Sequence, residues 1–141
     1  METFNQTNSD ADPGKRILVV DDMDDARLMI RCGIEKTIPE AQIRESQSGM
    51  KAAVELAKHK FDLVVSDLDL MGGNGFWLHC FMAEYHQRTP LVFFTSSPDQ
   101  LQQLSPSRKV FSKTNMAGLL KEITEVISSA DQSPVQEPEE K

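Results

Sequence analysis

The sequence predicts a doubly wound α/β fold built on a five-stranded parallel sheet, and two observations carry that prediction. The runs "RILVV", "FDLVVS" and "PLVFFT" are almost unbroken in apolar residues, as in strands covered on both faces; a strand with one wet face would alternate. Between and after these runs lie stretches whose apolar residues recur three and four positions apart, the period of a helix packed along one side. Strands and helices that alternate in this way imply right-handed crossovers onto a parallel sheet, which binds its ligands beyond the carboxyl ends of the strands.

Taken in order, "RILVV" opens the fold, and the next segment sets Ala26, Met29, Ile30, Gly33 and Ile34 on one helical face. "AQIRES" reads as a weaker strand, followed by the helix "SGMKAAVELAKHK" with Ser48 as its N-cap. After "FDLVVS" a third helix, from about Asn74 to Gln87, carries Phe76, Trp77, Leu78, Cys80, Phe81, Met82 and Tyr85 nearly all round, which predicts an exposed aromatic flank serving as a partner or self-association (homodimer) surface. "PLVFFT" is the fourth strand. The stretch "SSPDQLQQLSPSR" has little apolar periodicity and a breaker at Pro106, so the fourth helix is expected to be short or irregular. A last strand, "KVFS", precedes a helix with Met116, Leu119, Leu120, Ile123 and Ile127 on one stripe. Residues 1–15 and 128–141 are polar and aperiodic and are expected to be disordered, leaving 16–127 as the folded domain.

The 141 residues, 39% hydrophobic and 26% charged, suit one globular domain. A net charge of −7 argues against a nucleic-acid partner, which would call for a basic patch. Cys32 and Cys80 lack metal-ligand spacing and read as buried thiols in a reducing compartment. No apolar run approaches the roughly 20 residues of a membrane span, and the first residues lack the basic and apolar regions of a signal peptide, so a cytoplasmic protein is expected. Met23, Met29 and Met82 read as core or pocket-rim residues.

The residues just past the strands carry the chemistry. Asp21 and Asp22 follow "ILVV", Asp67 follows "VVS", Thr95 ends "LVFFT" and Lys113 follows "KVFS". Three carboxylates converging on one rim need a cation, and hard oxygen donors suit Mg²⁺. Add a hydroxyl and an ammonium, and the set matches what phosphoryl transfer requires: positioning and neutralisation of the three oxygens of the moving group. Asp22 is also placed to cap the first helix.

The ordered set resembles the receiver domains of two-component response regulators. "ILVVDD" is similar to that family's acidic pair, "LVVSDLDLMGGNG" to its phosphoacceptor strand and loop, "VFFTSS" to its switch-hydroxyl segment and "VFSK" to its lysine strand. The resemblance implies the flavodoxin-like strand order 2-1-3-4-5 and phosphorylation of Asp67 by a sensor histidine kinase or histidine phosphotransfer protein. It implies Mg²⁺ held by Asp22, Asp67 and the backbone carbonyl of Asp69, with Asp21 acting through water. Thr95 and Lys113 would bind the phosphoryl oxygens, and output would be phosphorylation-dependent binding of a downstream target protein. No helix-turn-helix or catalytic module is evident after the domain, so a single-domain signalling protein, not an enzyme, is expected.

The chain departs from the family at Met71 and at Thr114, where most members have proline, and at Val110, which takes the position of the aromatic switch residue. Without a proline, the Lys113–Thr114 bond is expected to be trans, because a cis bond there costs about 3–4 kcal/mol. Two alternatives stand beside the main reading. One is a receiver-like interaction module without a phosphorylation cycle. The other takes the Asp-x-Asp of "SDLDL" as the nucleophile and general acid of a haloacid dehalogenase-type phosphatase, although that family usually has the motif on its first strand.

Overall fold

In the computed structural model, which describes residues 14–70, 74–96 and 108–130, strand and helix alternate through the first four strands, as the periodicity requires. The elements are β1 (Arg16–Val20), α1 (Asp24–Thr37), β2 (Gln42–Ser46), α2 (Gly49–Lys58), β3 (Leu63–Ser66), α3 (Gly75–Tyr85), β4 (Leu91–Thr95), β5 (Lys109–Ser112) and α4 (Met116–Ala130). The strands form one parallel sheet in the order β2-β1-β3-β4-β5. The direction of winding therefore reverses between β1 and β3. That reversal opens the crevice in which ligands of doubly wound sheets sit.

Alternation along the central strands feeds two apolar layers. Leu18 and Val20 of β1, Val64 of β3 and Phe93 of β4 pack with Ala52 and Leu56 of α2 and with Leu78 and Met82 of α3. On the opposite face, Ile17, Val19, Val65, Val92 and Phe94 meet Ile30 and Ile34 of α1 and Leu119, Ile123 and Ile127 of α4. Each central strand thus spends successive residues on opposite cores, which is why its sequence shows no polar alternation. The edge strand β2 is covered less, with Arg44 and Glu45 exposed. Ser48 caps α2 as expected, accepting from the Lys51 N–H at 3.1 Å.

Several expectations need correction. On α1 the sheet is met by Arg27, Ile30 and Ile34, while Met29 is 62% exposed; at about 100° per residue, the arc through those three leaves Met29 on the side turned away from the sheet. Asp22 does not cap this helix. Its N-cap is Met23, which makes no side-chain cap bond. Cys32 and Cys80 are exposed free thiols, because each lies between the buried positions of its helix. Met82 is a core residue, whereas Met23 is exposed beside the rim. The aromatic flank of α3 is partly open: Trp77 stacks on Phe81 with ring centroids 5.4 Å apart, Phe81 meets Tyr85 at 5.2 Å, and Tyr85 is 68% exposed. The stretch expected to hold an irregular fourth helix falls mostly within 97–107, outside the described residues, as do 1–13 and 131–141. No helix among the described residues is long and apolar enough to cross a membrane.

The corrected face of α1 is open to measurement by urea denaturation. Ile30→Ala should cost about 2–5 kcal/mol, while Met29→Ala should stay within about 0.5 kcal/mol of the parent. Equal losses would restore Met29 to the core.

Candidate functional site

Parallel pairing continues one residue past three of the strands. The Asp21 N–H donates to the Ser46 carbonyl at 3.1 Å, the Asp67 N–H to the Val20 carbonyl at 3.0 Å and the Lys113 N–H to the Thr95 carbonyl at 3.0 Å. Asp21, Asp67 and Lys113 are therefore held in register at the carboxyl edge of the sheet. Their side chains meet there: Lys113 Nζ donates to Asp21 Oδ2 at 2.8 Å and to Asp67 Oδ2 at 3.0 Å. Asp22 completes the cluster, in which one carboxylate oxygen from each of Asp21, Asp22 and Asp67 lies within 4.8 Å of the others.

The Asp21 and Asp67 carboxylates are further fixed by backbone donors. Asp21 Oδ1 accepts from the Met23 N–H at 3.0 Å, and Asp67 Oδ1 accepts from the Leu68 N–H at 2.7 Å. Burial holds the Asp67 carboxyl above its ordinary range, against the pull of the Lys113 ammonium and with the Asp21 charge adding to the rise. For Lys113, burial works to discharge the ammonium, but its bonds to Asp21 and Asp67 outweigh that and hold it above its ordinary value. Three carboxylate oxygens this close together suit a hard divalent cation, which prefers carboxylate and carbonyl oxygen.

The loop that leaves Asp67 is shaped by close packing. Ser66 Oγ donates to the Asp67 carbonyl at 2.8 Å, and the Gly75 N–H donates to the Leu68 carbonyl at 2.8 Å. A Cβ on Gly75 would lie 2.5 Å from the Asp67 carbonyl oxygen and 2.7 Å from Leu68 Cα, so only glycine lets α3 begin this close to the rim. Asn74 then caps α3, its Oδ1 accepting from the Trp77 N–H at 2.8 Å.

Of the residues singled out from sequence, Asp21, Asp22, Asp67 and Lys113 come together. Thr95 is the fully buried last residue of β4 and joins them through its carbonyl. Asp69 is exposed, and its carboxylate lies outside the three-acid cluster; its N–H faces Asp67 Oδ1 at 3.4 Å. The Lys113–Thr114 bond is trans, as expected. Arg27, buried beneath Asp21, was not singled out, because its partners come together only in the fold.

The family described as "Response regulator receiver domain" matches residues 17–123. No curated protein is a significant sequence match. Among solved structures, a two-component transcriptional regulator AraC from Clostridium phytofermentans ISDg superposes with a TM-score of 0.75 at 19% identity, covering 88% of this chain and 100% of its own. The chemotaxis response regulator CheY4 of Vibrio cholerae gives 0.67 at 23% identity, over 80% of this chain and 98% of its own. The response regulator TrrA from Thermotoga maritima, solved in complex with Mg²⁺ and BeF, gives 0.69 at 20% identity, over 79% and 98%. At these identities the structural matches speak for the fold.

Two outcomes follow from this geometry. Because the Asp67 carboxyl titrates higher in the folded than in the unfolded chain, the metal-free fold is favoured below the ordinary carboxylate range and loses that increment as pH rises through the shifted value. Asp67→Asn should therefore raise Tm in EDTA at pH 7, with the gain shrinking toward pH 4; a gain that grew on acidification would contradict this. Gly75→Ala should cost about 1–3 kcal/mol by forcing the Asp67–Leu68 backbone aside, read from chemical denaturation, and an unchanged midpoint would mean that the loop yields freely.

Proposed function

The chain belongs to the response regulator receiver domain family of two-component systems, and on that premise we propose that it is a phosphoacceptor signalling module phosphorylated on Asp67 by a histidine kinase or a histidine phosphotransfer protein. The observation that carries this reading is the Lys113 ammonium held against both Asp21 and Asp67, next to a third carboxylate. In the transfer, an Asp67 carboxylate oxygen forms the O–P bond as the donor's N–P bond breaks, and the departing imidazole nitrogen keeps the electron pair and takes up a proton. Lys113 then has phosphoryl oxygens to pair with in place of Asp67 Oδ2, and the Thr95 hydroxyl binds another. Mg²⁺, when bound, supplies neutralisation of the charge on those oxygens. Asp22, Asp67 and the Asp69 carbonyl would hold it, with Asp21 acting through water; the Mg²⁺–BeF complex of the related Thermotoga maritima regulator supports this cofactor. Output is through a downstream target protein or a second copy of the chain, in the cytoplasm.

Intact-mass analysis tests the assignment. Incubated with a small acyl-phosphate donor and Mg²⁺, the full chain should gain one phosphoryl adduct, and Asp67→Asn should gain none; an equal adduct on the variant would place the acceptor elsewhere.

A further inference from the structure

Arg27 is a charged side chain on the sheet-facing side of α1 and only 8% exposed. Its guanidinium is spent on three acceptors from three segments. Nη1 donates to the Asp21 backbone carbonyl at 2.6 Å, Nε to Glu45 Oε1 on β2 at 2.9 Å, and Nη2 to Asp24 Oδ1 in the first turn of α1. Glu45 is itself held from a second side, by Arg31 Nη1. The N-cap of α1 makes no side-chain cap bond, so the turn from β1 into α1 relies on Arg27 and on the bond from the Met23 N–H to Asp21.

The Asp21 carbonyl has a particular importance. It belongs to the peptide unit that leads into Asp22, and a peptide unit is planar, so its oxygen, the Asp22 nitrogen and the Asp22 Cα move together. The same Asp21 residue is pinned at its other end by the N–H bond to Ser46. Holding the carbonyl therefore fixes where the Asp22 Cα sits at the rim, the point from which its side chain departs. We infer that Arg27 is a positioning residue, whose fork clamps the Asp21–Asp22 peptide to β2 and α1 and thereby aims the Asp22 carboxylate at a divalent cation. The inference rests on the proposed reading of the acidic cluster as a Mg²⁺ site. A lysine could not replace it, because one ammonium on a flexible stem cannot serve three acceptors fixed in a planar fork.

The test is calorimetric titration of Mg²⁺ into the full-length protein, for wild type, Arg27→Gln, Arg27→Lys and Glu45→Gln, with Tm in EDTA recorded for each. Residues that orient metal ligands change affinity by about 10–100-fold. Arg27→Gln and Arg27→Lys should both weaken Mg²⁺ at least tenfold in protein that remains folded, and Glu45→Gln, which loosens one leg of the clamp, should weaken it less. A purely structural role would lower Tm in EDTA and leave the affinity of the folded protein at the wild-type value, and that result overturns the inference. If Arg27→Gln does not fold, Arg27→Lys decides by the same criterion. Wild type that binds no Mg²⁺, or an Asp22→Ala variant that binds it as well as wild type, would instead overturn the metal reading itself and the inference with it.

Discussion

The parallel register of β1, β3, β4 and β5 is the constraint on which the rest of this molecule depends. Val20 pairs with Ser66, and Thr95 with Ser112, so the next residue along each of these strands is delivered to the same edge of the sheet. A slip of one residue in any strand would turn its side chains to the opposite core. The two apolar layers forbid that: Val19 and Val65 are committed to one face, and Val20 and Val64 to the other. Burial of aliphatic side chains thus determines, at a distance of one or two residues, which polar groups share the rim.

What the register assembles there is unfavourable in electrostatic terms. Two like charges about 5 Å apart repel by about 3 kcal/mol at an effective dielectric near 20, and three carboxylates face one another at less than that distance. Lys113, bonded to Asp21 and Asp67, offsets part of this. The cluster is left short of positive charge, and its carboxylates have little freedom to turn away, because backbone N–H groups already hold Asp21 and Asp67. A site of this kind gains from a further cation or from a change of charge at one carboxylate. Both are what the proposed function asks of it.

Most of this was legible in the sequence because it depends on short-range pattern. The central strands announce themselves as unbroken apolar runs, and counting one residue past β1 and β3 gives Asp21 and Asp67 without any structure; the same count past the edge strand "KVFS" gives Lys113. The misreadings come from properties that depend on distant partners. Met29 is placed on the wrong face, and Arg27 is passed over, because helical spacing admits a contact line through either; the choice is made by the Asp21 carbonyl and by Glu45, 18 residues from Arg27. An arginine at the same spacing as Ile30 and Ile34 was a signal, but only to a reader who knew that acceptors waited beneath it. Cys32 and Cys80 read as interior from the lack of metal-ligand spacing, which says nothing of helical phase, and both are exposed. Asp69 could not be placed because strand alternation ends at Ser66, and beyond that point parity no longer says where a side chain points.

The edges of the sheet have a consequence for solubility. A chain whose middle strands read "ILVV", "LVV" and "LVFF" contains segments prone to stacking into fibrils if they meet another open strand. Here those segments are interior, and the strands that border solvent are poor templates: β2 shows Arg44 and Glu45 to the outside, and β5 is four residues long and begins with exposed Lys109. Charged, short borders discourage a second molecule from extending the sheet. Association through helices rather than through strands would leave the aggregation-prone interior covered.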